Sequence, residues 1–312
     1  MTLANAQTKI TPFDEHFGTI VEASGPVELA DLDRDEMIQL FKKSGLLYFR
    51  GFHASVEQFD EFTSRFSTDF MSLVGGGYKR RVINEDGDKS IQSVNYDVGL
   101  EHQGLFPLPL HGEQYYLEHR PVMLWFYCVC PAAEDGETTV CDGYQLYAGL
   151  SDEVRNLFEK QRIKYIRVYY PADWQKRFQT DSLDVVEQFC RDNDMELQID
   201  RAQGIVYTET LYPASTTCPY TGRPVFINSM LPVLWQEGNG KVTSLVRLED
   251  GSKIPDAVVK EITEVAARWT RNIPWQKGDL ALVDNRRVMH GRNSFKDNAR
   301  ELYSRMVRSI DW

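Results

Sequence analysis

The sequence predicts a mainly β fold with helical insertions, built as a β-sandwich or barrel core decorated by helices. Three observations predict it. Short apolar runs recur along the chain, the richest being Val122-Met123-Leu124-Trp125-Phe126-Tyr127-Cys128-Val129-Cys130. That run falls far short of the roughly 20 apolar residues that span a bilayer, so it reads as a buried strand. Turn-forming residues separate such runs, as in Glu134-Asp135-Gly136. Between the strands lie segments with helical apolar spacing and recognisable caps.

Taken in order, Met1 to Asp14 has neither a basic start nor an apolar stretch, so no signal peptide is expected. Asp33 to Ser44 carries Met37, Ile38, Leu40 and Phe41 and stops at Gly45, the pattern of an amphipathic helix with a C-terminal glycine. Leu46 to Phe49 follows as a short strand. Ser55 with Gln58 forms a capping box for a helix bearing Phe59, Phe62 and Phe66. Gly75 to Pro109 is loop-like, and ordered loops beside a site serve as lids or substrate walls. Pro121 to Cys130 and Thr138 to Cys141 are strands joined by the turn. Ser151 caps a helix through Phe158, and Tyr165 to Tyr169 alternates as a strand. Asp181 to Asp192 is helical, with Leu183, Val186 and Phe189 on one face. Pro255 to Trp269 is a helix with proline in its first turn. Leu280 to Val283 and Leu302 to Ile310 return to strand. No internal repeat or low-complexity linker divides the 312 residues, so one domain over 1–312 is expected, with 72–109 as its active-site loop region.

With 42% hydrophobic and 12% aromatic residues the chain can bury a large core. Its net charge of −11 argues against binding a phosphate backbone and for a small-molecule substrate. No membrane association is expected, and the oligomeric state stays open. The five cysteines (128, 130, 141, 190 and 218) form an odd set without CxxC spacing, as in a reduced cytoplasmic protein with free thiols.

The chemistry centres on His111-Gly112-Glu113 and on the distant His290. Two histidines and one carboxylate can occupy one face of a metal, leaving three positions open, as in non-haem Fe(II) oxygenases. On a strand, positions i and i+2 point the same way, so His111 and Glu113 can reach one ion. His290 follows the apolar strand Leu280–Val283 and stands at its exit; the bland alternative is a solvated histidine in a polar turn. Near the C-terminus, alternation puts Arg300, Leu302, Ser304, Met306 and Arg308 on one face if no bulge intervenes. An arginine directed inward needs a carboxylate, which its fork can clasp; the alternative is a solvated edge strand.

Four blocks, in order, resemble the taurine dioxygenase/clavaminate synthase-like superfamily of Fe(II)/2-oxoglutarate oxygenases. They are Leu110 to Tyr116, Gly136 to Thr139, Asp173 to Thr180, and Asp284 to Arg292 with the arginines beyond. The first and third are most similar to the syringomycin-type aspartyl hydroxylase subgroup. The resemblance runs from about Leu46 to the C-terminus and is weakest over Ser72 to Leu108. It implies a double-stranded β-helix (jelly-roll) core, with His111, Glu113 and His290 as ligands of Fe(II). It also implies that Thr138 and Arg300 hold the distal carboxylate of 2-oxoglutarate, with O₂ as second cosubstrate. Many members carry Asp where this chain has Glu113. The retained carboxylate argues against a halogenase, in which its loss opens a halide position. Some members carry a substrate-directed arginine four residues after the cosubstrate arginine. Here that position is Ser304, and because a one-residue bulge would restore the pattern, Arg305 is a rival for either role.

The resemblance points to oxidation of a C–H bond of an amino acid or amino-acid-derived metabolite, in biosynthesis. Desaturation or oxidative ring closure would begin with the same hydrogen abstraction. A non-catalytic metal-binding jelly-roll is the alternative from another class. Tyr96, Arg80 and Arg81 in the loop before His111 are open to two readings, as pocket-facing substrate contacts or as ordinary surface groups.

Overall fold

A computed structural model describes residues 7–71, 80–96, 106–296 and 299–312, with the backbone alone at 95 and 96. Its core is a pair of facing β-sheets. Among the described residues the larger has nine strands and the smaller four, ordered Thr270–Ile273, Thr138–Asp142, Val288–Arg292, Leu108–His111. This is the jelly-roll expected from the sequence.

The central strands of the large sheet are apolar without interruption because both of its faces are covered. Leu46, Tyr48, Leu124, Phe126, Ala281 and Val283 face inward and pack with Val140, Ile273 and Val288 of the small sheet. The intervening Leu47, Phe49, Trp125, Leu280 and Leu282 face outward, against Met37, Phe41, Phe59 and Phe62. Those four come from the helices Arg34–Ser44 and Val56–Ser64. The first helix starts at Asp33, whose side chain accepts from Glu36 N, and ends at Gly45 with φ 74°. The second carries the full Ser55–Gln58 capping box. The outer face of the small sheet is covered by the helices Gly143–Gly149, Asp152–Lys160 and Asp256–Trp269, together with a third sheet that contains Ile163–Tyr169.

Three local expectations are corrected. The stretch taken as loop from Gly75 to Pro109 contains the strands Arg80–Val82 and Ile91–Tyr96, which pair antiparallel and extend the large sheet. Ile91–Tyr96 is polar at Gln92, Ser93 and Asn95, so its apolar residues do not alternate and its pattern carries little strand signal; its pairing with Glu301–Val307 supplies the order. His290 lies within its own strand, Val288–Arg292, after the tight turn in which Arg287 N donates to Asp284 O. Pro255 is the N-cap of the helix Asp256–Trp269 rather than a first-turn residue.

Arg305 does not take the cosubstrate or substrate role that a bulge would have given it. It points to the helix-covered side of the large sheet and is 2% exposed. There it donates to Asp60 O, Thr63 Oγ1 and Ser90 Oγ, pairs with Asp60 and Asp88, and stacks on Phe70. A guanidinium at the C-terminal end of Val56–Ser64 meets that helix's exposed carbonyls and dipole. Arg305→Met is expected to lower the unfolding free energy by about 2–3 kcal/mol in chemical denaturation. That is below the roughly 3–5 kcal/mol of a fully buried broken pair, because both acids remain partly solvated. Burial works against the Asp88 charge, but Ser90 and Arg305 hold its carboxyl down to about 2. A folded-state value below the unfolded one, roughly 3.9, stabilises the protein above about pH 4. That stabilisation fades as pH falls toward 2, so the variant should flatten this limb of the stability curve.

The five cysteines are free thiols, and among the described residues no helix is long and apolar enough to cross a membrane.

Candidate metal and cosubstrate site

Antiparallel pairing sets His290 directly opposite both His111 and Val140, and Arg292 opposite Thr138. Opposed residues share a face. Since Val140 belongs to the inter-sheet core, His111, His290 and Thr138 all face inward. Glu113 reaches them differently from the i, i+2 expectation, because the strand ends at His111 and Glu113 lies in the turn beyond it. Side chains distant in sequence hold that turn. Asn285 accepts from Glu113 N at 2.7 Å and donates to Glu113 O at 3.0 Å. Gly112 N donates to Asn228 O, and Ser229 Oγ donates to Gly112 O at 2.6 Å. Tyr115 OH donates to Asn285 O at 2.8 Å. The turn bearing Asn285 is itself fixed by the buried pair of Arg287 with Asp142, at 2.9 Å.

One ligand atom from each of His111, Glu113 and His290 lies within 4.8 Å of the others. Glu113 Oε2 is 3.7 Å from His111 Nε2 and 3.6 Å from His290 Nε2, beyond hydrogen-bond length. His111 Nδ1 is 2.9 Å from Pro109 O. A carbonyl can only accept, so Nδ1 carries a proton there, and Nε2 is the ring atom that faces the carboxylate. Burial, reinforced by His111, pushes His290 down to about 4, so its ring is neutral near pH 7. Burial opposes the Glu113 charge, but the two imidazoles and Arg80 hold its carboxyl well below the usual range. Two imidazoles and a carboxylate converging at distances too long for hydrogen bonds suit a divalent cation and leave one side open.

These residues line a cavity of about 390 Å³, within the range of small-molecule sites. Thr138 and Arg300 share it. Thr138 Oγ1 accepts from Trp275 Nε1 at 2.9 Å, which leaves the threonine hydroxyl proton to donate into the cavity. Arg300 is 3% exposed and donates through Nε to Gly136 O at 2.6 Å. Burial, with the like charge of Arg292, pushes Arg300 down to about 10, so an anion beside it would be favoured. Leu302, Ser304 and Met306 line the wall next to it. The register shift between Glu301 and Leu302 leaves this alternation intact.

The other sequence candidates separate. Arg80 lines the cavity. Arg81 pairs with Glu301 at the surface, and Arg308 is exposed, 3.9 Å from Asp69. Tyr96 closes its strand, but its side chain lies outside the described residues. Arg305 does not join the cavity. Sequence reasoning missed Asn285, Trp275, Arg167 and Arg177. Asn285 and Arg177 stand inside motif blocks, yet nothing local in the sequence signals contacts made with Glu113, 172 residues away, and with Tyr116, 61 residues away.

Gly291 adjoins His290 where the Leu108–His111 strand passes closest. A Cβ there would run into the Leu108 carbonyl oxygen and lie 2.8 Å from Thr139 Oγ1. Backbone cannot yield as a side-chain tip can. Gly291→Ala is therefore expected to spread the two histidine strands and weaken Fe(II) binding about 10- to 100-fold, with the far-UV circular dichroism unchanged.

Residues 9–308 match the model of the family described as "Taurine catabolism dioxygenase TauD, TfdA family". A clavaminate synthase-like protein of Arabidopsis thaliana is 26% identical over 285 residues, covering 85% of this chain and 82% of that one. The dapdiamide synthesis protein DdaC of Enterobacter agglomerans is 24% identical over 275 residues, covering 83% and 80%. The crystal structure of PvcB from Pseudomonas aeruginosa shares the fold, with TM-score 0.63 at 17% identity, over 98% of this chain and 94% of that one.

Proposed function

The chain belongs to the TauD, TfdA family of dioxygenases, oxidoreductases that use Fe(II), 2-oxoglutarate and O₂, and from that premise we propose that it oxidises an unactivated C–H bond of an amino acid or amino-acid-derived metabolite in specialised biosynthesis. His111, Glu113 and His290 are the proposed iron ligands, and Thr138 and Arg300 the proposed grip on 2-oxoglutarate. We read the chain as one domain in which the described Arg80, Val94 and Leu108 of the 72–109 segment line the cavity; 72–79 and 97–105 lie outside the described residues. The observation that carries this reading is the convergence of three ligand atoms within 4.8 Å, in the cavity that also holds Thr138 and Arg300.

When bound, iron with 2-oxoglutarate supplies the oxidative decarboxylation and the abstraction of substrate hydrogen. The protein's residues do the positioning. The Pro109 carbonyl keeps the His111 proton on Nδ1. Asn285 fixes the backbone of Glu113 at two points, so its carboxylate is presented without searching conformations. Trp275 consumes the acceptor side of Thr138 and orients its hydroxyl as a donor. Arg300 offers charge to the distal carboxylate from a buried, largely immobile position. Leu124, Phe126, Leu302 and Met306 keep bulk water from this part of the cavity.

Anaerobic addition of Fe(II) and 2-oxoglutarate should produce a visible metal-to-ligand charge-transfer band, and oxygen should then yield succinate. A protein that gives neither is not an oxygenase of this kind. Product analysis of the coupled reaction distinguishes hydroxylation from desaturation or ring closure.

A further inference from the structure

The part of the cavity beyond Tyr116 is basic, although the chain carries a net charge of −11. Arg167 comes from the strand Ile163–Tyr169, Arg177 from the helix Pro171–Phe178, and Lys241 from the segment after the helix Met230–Gly238. The Arg167 guanidinium lies 4.0 Å and that of Arg177 5.7 Å from the centre of the Tyr116 ring. Two cations thus lie against one phenol, three residues beyond Glu113. Arg177 is 8% exposed, and its Nε has no hydrogen-bond partner among the described residues. Asp173 is the acid on this wall, and it is solvent-exposed. Burial raises the Tyr116 phenol, but Arg177 and Arg167 together hold it below its ordinary value. Lys241 is pushed down by burial and by the same two arginines. Converging cations with one solvated acid between them gain most from an anion.

We propose that Arg167 and Arg177, carried on Tyr116, form the substrate's anion subsite and take a carboxylate, while the substrate body extends toward His111, Glu113 and His290. The inference rests on reading the cavity as the oxygenase site and adds the substrate class to it. The wall that holds it, from the third sheet and its following helix, is separate from the Thr138–Arg300 wall, so two anions fit at once without competing for one arginine. A guanidinium fork matches a planar carboxylate through two parallel hydrogen bonds. Tyr116 ties the two together, since both guanidiniums lie against its ring.

The test uses the anaerobic protein loaded with Fe(II) and 2-oxoglutarate. It is titrated with the common L-amino acids and their N-acetyl derivatives, each as free acid and as primary amide, and with inorganic phosphate. Perturbation of the charge-transfer band reports occupancy beside the iron. Free acids should bind about 10- to 100-fold more tightly than the matching amides. In Arg177→Gln and Arg167→Gln that preference should collapse toward unity while the amides bind as before, a pattern that general damage to the site would not give. Equal binding of acids and amides, a preference for phosphate, or no response to any member overturns the carboxylate subsite. Absence of the band before titration overturns the oxygenase reading itself.

Discussion

Replacing His290 with alanine is expected to abolish the charge-transfer band and to reduce 2-oxoglutarate-dependent succinate formation by more than about 100-fold. Loss of a group that merely supports a ligand already costs 10- to 100-fold in metal affinity, so loss of a ligand should exceed that. His290 is 6% exposed between Phe126 and the His111 ring, and alanine leaves a small void at the centre of the inter-sheet core. A stability loss of about 1–3 kcal/mol is therefore expected as well. The comparison with His290→Gln separates the two effects. Glutamine fills most of the space but offers a poor ligand, so it should restore stability without restoring the band.

The second large effect concerns Arg300. Removing one partner of a buried charge pair costs about 2–5 kcal/mol, which at 1.4 kcal/mol per decade is a factor of about 30 to several thousand. Arg300→Met should raise the KM for 2-oxoglutarate by at least that lower factor while Fe(II) binding persists. Arg300→Lys keeps the charge but loses the fork and the Nε bond to Gly136 O, so it should fall between the two. Arg305→Met serves as the contrast. It removes a buried arginine five residues away on the opposite face of the sheet, and it should cost stability while leaving the KM unchanged. Equal effects of the two on KM would refute the assignment of the two faces.

Much of the architecture could be read from the sequence because its signals are local. Asp33 and Gly45 bracket the first helix as expected, and Ser55 with Gln58 caps the second. The uninterrupted apolar runs around Trp125 and Leu282 announced strands covered on both faces. The proposed metal ligands were legible as residue types, but the means of bringing them together was not. Glu113 reaches its place because Asn285, 172 residues away, binds its backbone. Arg305 illustrates the opposite case. Strand alternation alone puts it across the sheet from Arg300, and only a bulge inside the strand would have reversed that. The register shift falls before Leu302 and leaves the alternation standing. The basic wall was invisible for another reason. Arg167 and Arg177 lie on a strand and a helix that meet only in the fold, and each looks like an ordinary surface cation in its own segment.

The most direct test of the central claim is a crystal structure of the protein grown anaerobically with Fe(II) and 2-oxoglutarate, with anomalous scattering measured at the iron edge. One anomalous peak bonded jointly to His111 Nε2, a Glu113 carboxylate oxygen and His290 Nε2 is the predicted result, with 2-oxoglutarate reaching from it toward Thr138 and Arg300. A peak elsewhere, or none at these three residues when iron is supplied in excess, would contradict it.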